Sequence, residues 1–205
     1  MPHDAEIRAR RQEALERLWA EARAALDGKR LVPGEGSLLA RVMIVGEAPG
    51  EREDALQRPF VGRAGDMLNR MLNEAGIARE EVWITNVVKW RPTVQQGGRL
   101  MNRPPTTEEA REGEKLLRRE IEIIKPTIIL CLGNSAARQL IDPGFKMLED
   151  HGRWYKGPGD ARIIATFHPA YVLRRMGAER AELMDAFRRD FQSVAEALRA
   201  IPADA

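Results

Sequence analysis

Two stretches of this chain set stiff turns directly after short apolar runs. Gly46-Glu47-Ala48-Pro49-Gly50-Glu51-Arg52-Glu53-Asp54 follows the run Arg41–Gly46, and Thr166-Phe167-His168-Pro169-Ala170-Tyr171 comes at the end of the run Arg162–Phe167. The runs are short and rich in β-branched residues, which reads as strand. Each turn carries one acid–base side chain, Glu47 or His168, where proline and glycine restrict the backbone. Ligands of open α/β sheets bind beyond the carboxyl ends of the strands. Two such turns, far apart in sequence, imply one cleft with two jaws.

The rest of the chain supplies a sheet for those strands. Residues 4–27 space Ile7, Leu15, Leu18, Trp19, Ala22 and Leu26 as an amphipathic helix ended by Asp27-Gly28. Ala64–Ala75 is helical in pattern, with Gly76 as its stop. Val82–Val88 and Thr127–Gly133 read as further strands, and residues 91–105 as a loop. Thr106 through Glu109 form a capping box for a helix to Ile124, and Asn134 is placed to cap Ser135–Ile141. A helix over 178–200 closes the chain, leaving a tail expected to fray from about 202 to 205. Strands alternating with helices predict a three-layer α/β fold: one domain over residues 1–205, with a central, mainly parallel four-stranded sheet and helices on both faces.

Composition excludes several alternatives. Apolar runs such as Ile128–Leu132 are far too short to span a membrane, and the charged N-terminus lacks the apolar core of a secretion signal. One cysteine in 205 residues allows no internal disulfide, in keeping with the reducing cytoplasm expected for the chain. Net charge is only +2, but the positive charge is unevenly placed. Lys89, Arg91, Arg99 and Arg103 fall in an acid-free stretch, and Arg174, Arg175 and Arg180 follow His168. Basic segments beside a cleft suit a phosphate backbone. The first turn lacks the lysine and glycine spacing of a nucleotide-binding loop.

Taken in order, the blocks Gly46–Leu72, Trp83–Lys89 and His168–Arg174, with Val32–Gly36 upstream, resemble the uracil-DNA glycosylase superfamily, most closely its family 4. The resemblance runs from about Trp19 to the closing helix and implies a monofunctional enzyme that hydrolyses the N-glycosidic bond of uracil in DNA, acting as a monomer. It assigns the catalytic roles to Glu47, which would stabilise the cationic sugar and direct water, and to His168, which would donate to uracil O2. Phe60 would stack on the base, and Asn86 would read its edge. The amide of Asn86 can donate to O4 and accept from N3–H, polarities that cytosine reverses. Substrate contacts also fall on Gly46, Ala48, Pro49 and Gly50, while Glu53 would crowd the C5 side against thymine. Tyr171, Val172 and Leu173 would form a wedge filling the vacated stack. Arg91, Arg99, Arg103, Arg174 and Arg175 would meet the DNA backbone. Two other readings stay open: a glycosylase for hypoxanthine or xanthine, which Asn86 disfavours, and a non-catalytic lesion binder, which would not need Glu47 and His168 together.

Two features depart from family 4, whose members usually hold an iron–sulfur cluster on four cysteines. The corresponding positions here are Trp19, Ala22, Trp90 and about Gly113, and the lone Cys131 sits mid-strand. No cluster, other metal or organic cofactor is therefore expected, with Trp19 and Trp90 filling the space. The loop 93–103 is longer than in family 4, as in relatives that crosslink to uracil-DNA through a loop histidine. Asn102 stands near that position and no histidine lies in the loop, so turnover by water rather than covalent trapping is expected.

Overall fold

The structure, a computed structural model, describes residues 2–202; the expected frayed tail lies outside them from residue 203 onward. In chain order the elements are α1 (Pro2–Ala25), β1 (Glu35–Gly36), β2 (Val42–Gly46), α2 (Glu51–Leu56), α3 (Arg63–Glu74), a 3-10 turn (Arg79–Glu81), β3 (Trp83–Asn86) and the strands β4 (Thr93–Gln96) and β5 (Arg99–Asn102). There follow α4 (Thr107–Ile124), β6 (Ile128–Leu132), α5 (Asn134–Leu140), α6 (Met147–Asp150), β7 (Trp154–Lys156), β8 (Arg162–Thr166), α7 (Pro169–Leu173) and α8 (Gly177–Ala200). Among the described residues, no helix is long and apolar enough to cross a membrane.

The main sheet runs β1-β3-β2-β6-β8-β7. Its four central strands are the expected ones, and they pair in parallel. Every residue of β2 and β6 is buried, as befits strands covered on both faces. The sheet has six strands rather than four, because β1 and β7 add short antiparallel edges. Two and three residues long, they are too brief to show a hydrophobic period. The stretch read as a loop contains a hairpin, β4 with β5. Gly97 and Gly98 form its two-residue turn at φ 57° and 75°. Both backbones are left-handed, which suits glycine at a tight hairpin.

Local signals fix the helix ends. Thr106 Oγ1 accepts from Glu109 N at 3.2 Å while Glu109 Oε2 accepts from Thr106 N at 2.8 Å, the reciprocal capping box. Gly76, at φ 72°, stops α3 as expected. Asn134, in contrast, does not cap α5. Gly133 holds the cap position at φ 92°, and the Asn134 side chain instead accepts from Met147 N at 3.0 Å, tying α5 to α6.

Helix α8 packs along β6 and β8 and carries one buried acid. Asp190 Oδ2 accepts from Thr166 Oγ1 at 2.6 Å and shares a 2.9 Å hydrogen bond with His151 Nδ1. Burial raises the Asp190 carboxyl above its usual range despite those partners. This network anchors the end of β8 two residues before His168. Replacing Asp190 with alanine strands a buried hydroxyl, so unfolding free energy should fall by about 1–3 kcal/mol in a urea titration. An unchanged midpoint would show that the network carries no load.

Candidate active site

All four parallel strands end at the same edge of the sheet, and each end delivers part of one site. The ladder between β2 and β3 pairs Gly46 with Asn86 and continues past both strands. Val87 N donates to Gly46 O at 2.9 Å and Val88 N to Glu47 O at 3.0 Å. Glu47 and Asn86 therefore sit on neighbouring backbones held in fixed register.

Phe60 reaches the same place from the segment between α2 and α3. Its backbone is left-handed, φ 52°, a costly conformation for a residue with a Cβ. Two features hold it. Glu53 Oε1 accepts from Val61 N at 3.1 Å and Gly62 N at 2.9 Å, clamping this segment to α2. Gly65 leaves room for the Phe60 carbonyl, which any Cβ there would strike. At the far end, a Cβ on Gly46 would lie 2.5 Å from Phe60 Cζ and collide with Asn86 Oδ1. The phenyl ring and the carboxamide thus converge on one glycine, and both are buried.

His168 enters from β8 as the N-cap of α7, with Pro169 in the first helical position. Its ring centroid lies 5.9 Å from that of Phe60, the planes tilted by 32°. Nδ1 accepts from Ala170 N at 3.1 Å, so in the neutral ring the hydrogen sits on Nε2. Burial lowers the His168 pKa to about 4, and the positive charge of Arg174 adds to the shift. At neutral pH His168 is an uncharged donor.

Glu47 and His168 line a cavity of about 600 Å³, walled also by Gly133, Asn134, Arg138, Tyr171 and Arg174. Phe60 and Asn86 do not face that open cavity; they lie buried beside it, against Gly46 and His168. The two turns singled out in the sequence thus meet. Residues 133–138 and 146–149 complete the wall, and no pattern in their sequence pointed to it.

The expected DNA-contact residues divide into free and engaged. Arg91 is mostly buried, with Nε donating to Asn102 Oδ1 at 2.6 Å, which braces the hairpin. Arg103 makes a paired ion contact with Glu109 at 2.6 and 2.9 Å. Arg175 lies 4.4 Å over the Tyr171 ring and pairs with Glu179 at 3.0 Å. Of these five arginines, Arg99 and Arg174 are exposed and make no ion pair among the described residues. The wedge also needs correction. Val172 is 0 % exposed because it lies on the inward face of α7, and Tyr171 is stacked on Phe167 at 6.1 Å. Met176, shortly after α7 in the chain, is an exposed apolar side chain, at 84 %. Its position just before α8, outside the resembling block, hid it from the sequence reading.

A family model described as the uracil DNA glycosylase superfamily matches residues 33–192. The chain belongs to that superfamily. It is 43% identical to the type-4 uracil-DNA glycosylase of Thermotoga maritima over 155 residues, covering 75% of this chain and 77% of the relative. With the type-4 enzyme of Archaeoglobus fulgidus it shares 39% over 175 residues, 80% of each. Similarity to the type-5 uracil-DNA glycosylase of Pyrobaculum aerophilum is lower, 29% over 197 residues, 86% of this chain and 77% of that one. The type-4 family is thus the nearer of the two.

The cluster of family 4 does not fit the residues present. Trp19, Ala22 and Trp90 are buried and offer no thiolate. At Gly113 a Cβ would lie 2.5 Å from Val87 O and 2.9 Å from Val88 Cα, so α4 has closed onto that backbone. Cys131, the one thiol, lies inside β6, where burial raises its pKa. Among the described residues, no group of three or more histidine, cysteine or acidic side chains is arranged to hold a metal.

The His168 shift has a measurable sign. Its proton NMR resonance should titrate near pH 4, not near the ordinary 6.5. Between those values the unfolded chain binds a proton that the native one refuses, so stability should decline as pH falls through that window. A midpoint above 6 would show a charged, solvated ring.

Proposed function

We propose that the chain excises uracil from DNA by hydrolysis of the N-glycosidic bond. The observation that carries this is the meeting of Glu47 and His168 in one cavity, beside a phenyl ring and a carboxamide converging on Gly46. Flipping a nucleotide out of the stack costs a few kcal/mol. Stacking of the extruded base on Phe60 offsets roughly 1–3 kcal/mol of that. Met176, unlike the buried Val172, is free to occupy the gap left in the duplex.

Within the pocket, the Asn86 carboxamide donates to uracil O4 and accepts from N3–H. Cytosine presents the opposite pair and leaves both groups unsatisfied. As the bond to the sugar lengthens, negative charge collects on the base and positive charge on the sugar. His168, with its hydrogen on Nε2, donates to O2; one preorganised donor at a developing oxyanion is worth roughly 2.7–4 kcal/mol. Glu47 faces the sugar, stabilises its cationic character and orients the attacking water. Glu53, already bound to the Val61 and Gly62 amides, supports Phe60 and fills space on the C5 side. No step needs a metal, and we infer that the protein works without an iron–sulfur cluster. One chain supplies every group named, so a monomer suffices. Asn102 offers no nucleophile comparable to histidine, so the sugar is released to water.

Incubation with oligonucleotides carrying uracil, hypoxanthine, xanthine or thymine, followed by alkaline cleavage on a denaturing gel, tests this reading. Strand scission on uracil alone is expected, with no denaturant-stable protein–DNA adduct. Preference for hypoxanthine, or no scission at all, would contradict it. Arg99 is the hairpin's free cation: Arg99→Ala should weaken binding alike on all sequences and reduce the salt slope by about 1.

A further inference from the structure

A fully buried lysine lies directly behind the base-reading residue, and the mechanism above does not use it. Lys89 Nζ donates to Asn86 O at 2.6 Å, Thr85 Oγ1 at 2.6 Å and Glu120 Oε2 at 2.5 Å. All three of its hydrogens are thereby placed. Glu120, equally buried, accepts from Trp83 Nε1 at 2.7 Å and Thr85 Oγ1 at 3.0 Å. The ammonium also lies 5.8 Å from the Trp19 ring centroid. We propose that Lys89, charge-balanced by Glu120, is a positioning residue that fixes the backbone of Asn86 so that its carboxamide meets the uracil edge.

The backbone accounting supports this. Asn86 is the last residue of β3, and among the described residues no loop or turn amide donates to its carbonyl. Lys89 Nζ supplies the missing donor. The rest of the turn is pinned at Val87 N, Val88 N and Lys89 O, the last accepting from Val32 N at 2.6 Å. Helix α4 closes the turn from outside with two residues on one face, seven apart. Gly113 sits against Val87 O and Val88 Cα, and Glu120 holds the ammonium. Buried ion pairs can often be replaced by apolar residues at no cost in stability. What an apolar pair cannot do is donate to the Asn86 carbonyl.

This proposal rests on the uracil reading, and the test separates the two. Lys89→Met/Glu120→Gln removes the donor while leaving neither charge unpaired, and Gln can still serve Trp83 and Thr85. Lys89→Gln/Glu120→Gln keeps an amide donor. Thermal unfolding is measured for both pairs. Single-turnover excision of uracil is followed for both in the native background and in an Asn86→Ala background. The Met–Gln pair is expected to fold with a near-native midpoint yet lose about ten- to a hundredfold in excision, the scale of a slightly misplaced group. That loss should vanish in the Asn86→Ala background, because the two changes act through one side chain. The Gln–Gln pair should stay within about threefold of native, a partial rescue by the retained donor. A folded Met–Gln pair with native excision would overturn the proposal, as would an equal loss in both backgrounds. If the Met–Gln pair does not fold, the Gln–Gln pair decides: native-like excision supports the proposal, and a loss shared by both backgrounds refutes it. If the unaltered protein releases no uracil, it is the reading of the site that fails.

Discussion

The parallel ladder between β2 and β3 governs this site, because it does not stop where the strands stop. Amides of Val87 and Val88 continue it onto the carbonyls of Gly46 and Glu47. Two segments that would otherwise diverge as loops are therefore held as a short extension of the sheet. The acid on one and the amide on the other inherit strand-like precision. Sites built on such extensions hold geometry better than sites carried on free loops. Phe60 and His168 are then brought to this edge, one by a clamped turn and one by a proline-started helix.

Each of those placements has a local cost that the surrounding structure offsets. Phe60 occupies a left-handed backbone, held by the Glu53 carboxylate and by the space left at Gly65. His168 forgoes protonation through most of the acidic range in return for a fixed hydrogen on Nε2. Glu120 and Lys89 are removed from water together, which is tolerable only because every hydrogen-bonding group in the network is paired. Strain and buried charge collect around the cleft, where preorganisation contributes most to chemistry.

Much of this was legible in the sequence. Four apolar runs named the parallel strands, and Thr106 with Glu109 announced α4. Glycine, proline and one acid–base residue marked each jaw. What stayed hidden was mostly tertiary. A capping asparagine and one bonding a distant amide are identical in sequence, so Asn134 was misplaced by one helical position. Val172 reads as an exposed wedge until α7 turns it into the core. Edge strands of two or three residues carry no period, and the polar residues around Gly97-Gly98 disguised a hairpin. Lys89 looked like part of a basic surface, and nothing local reveals that Glu120, 31 positions away, covers it. Charge density in a sequence is a poor guide to solvent exposure: of the cations expected on DNA, Arg91 and Arg103 are committed to internal bonds.

In the proposed reaction, ring, carboxamide and imidazole surround one base. A crystal structure of the protein grown with free uracil tests it most directly. The pyrimidine is expected flat against Phe60, with O4 and N3 on the Asn86 amide and O2 within hydrogen-bond distance of His168 Nε2. Uracil bound elsewhere, or bound here with O2 turned away from His168, would contradict it.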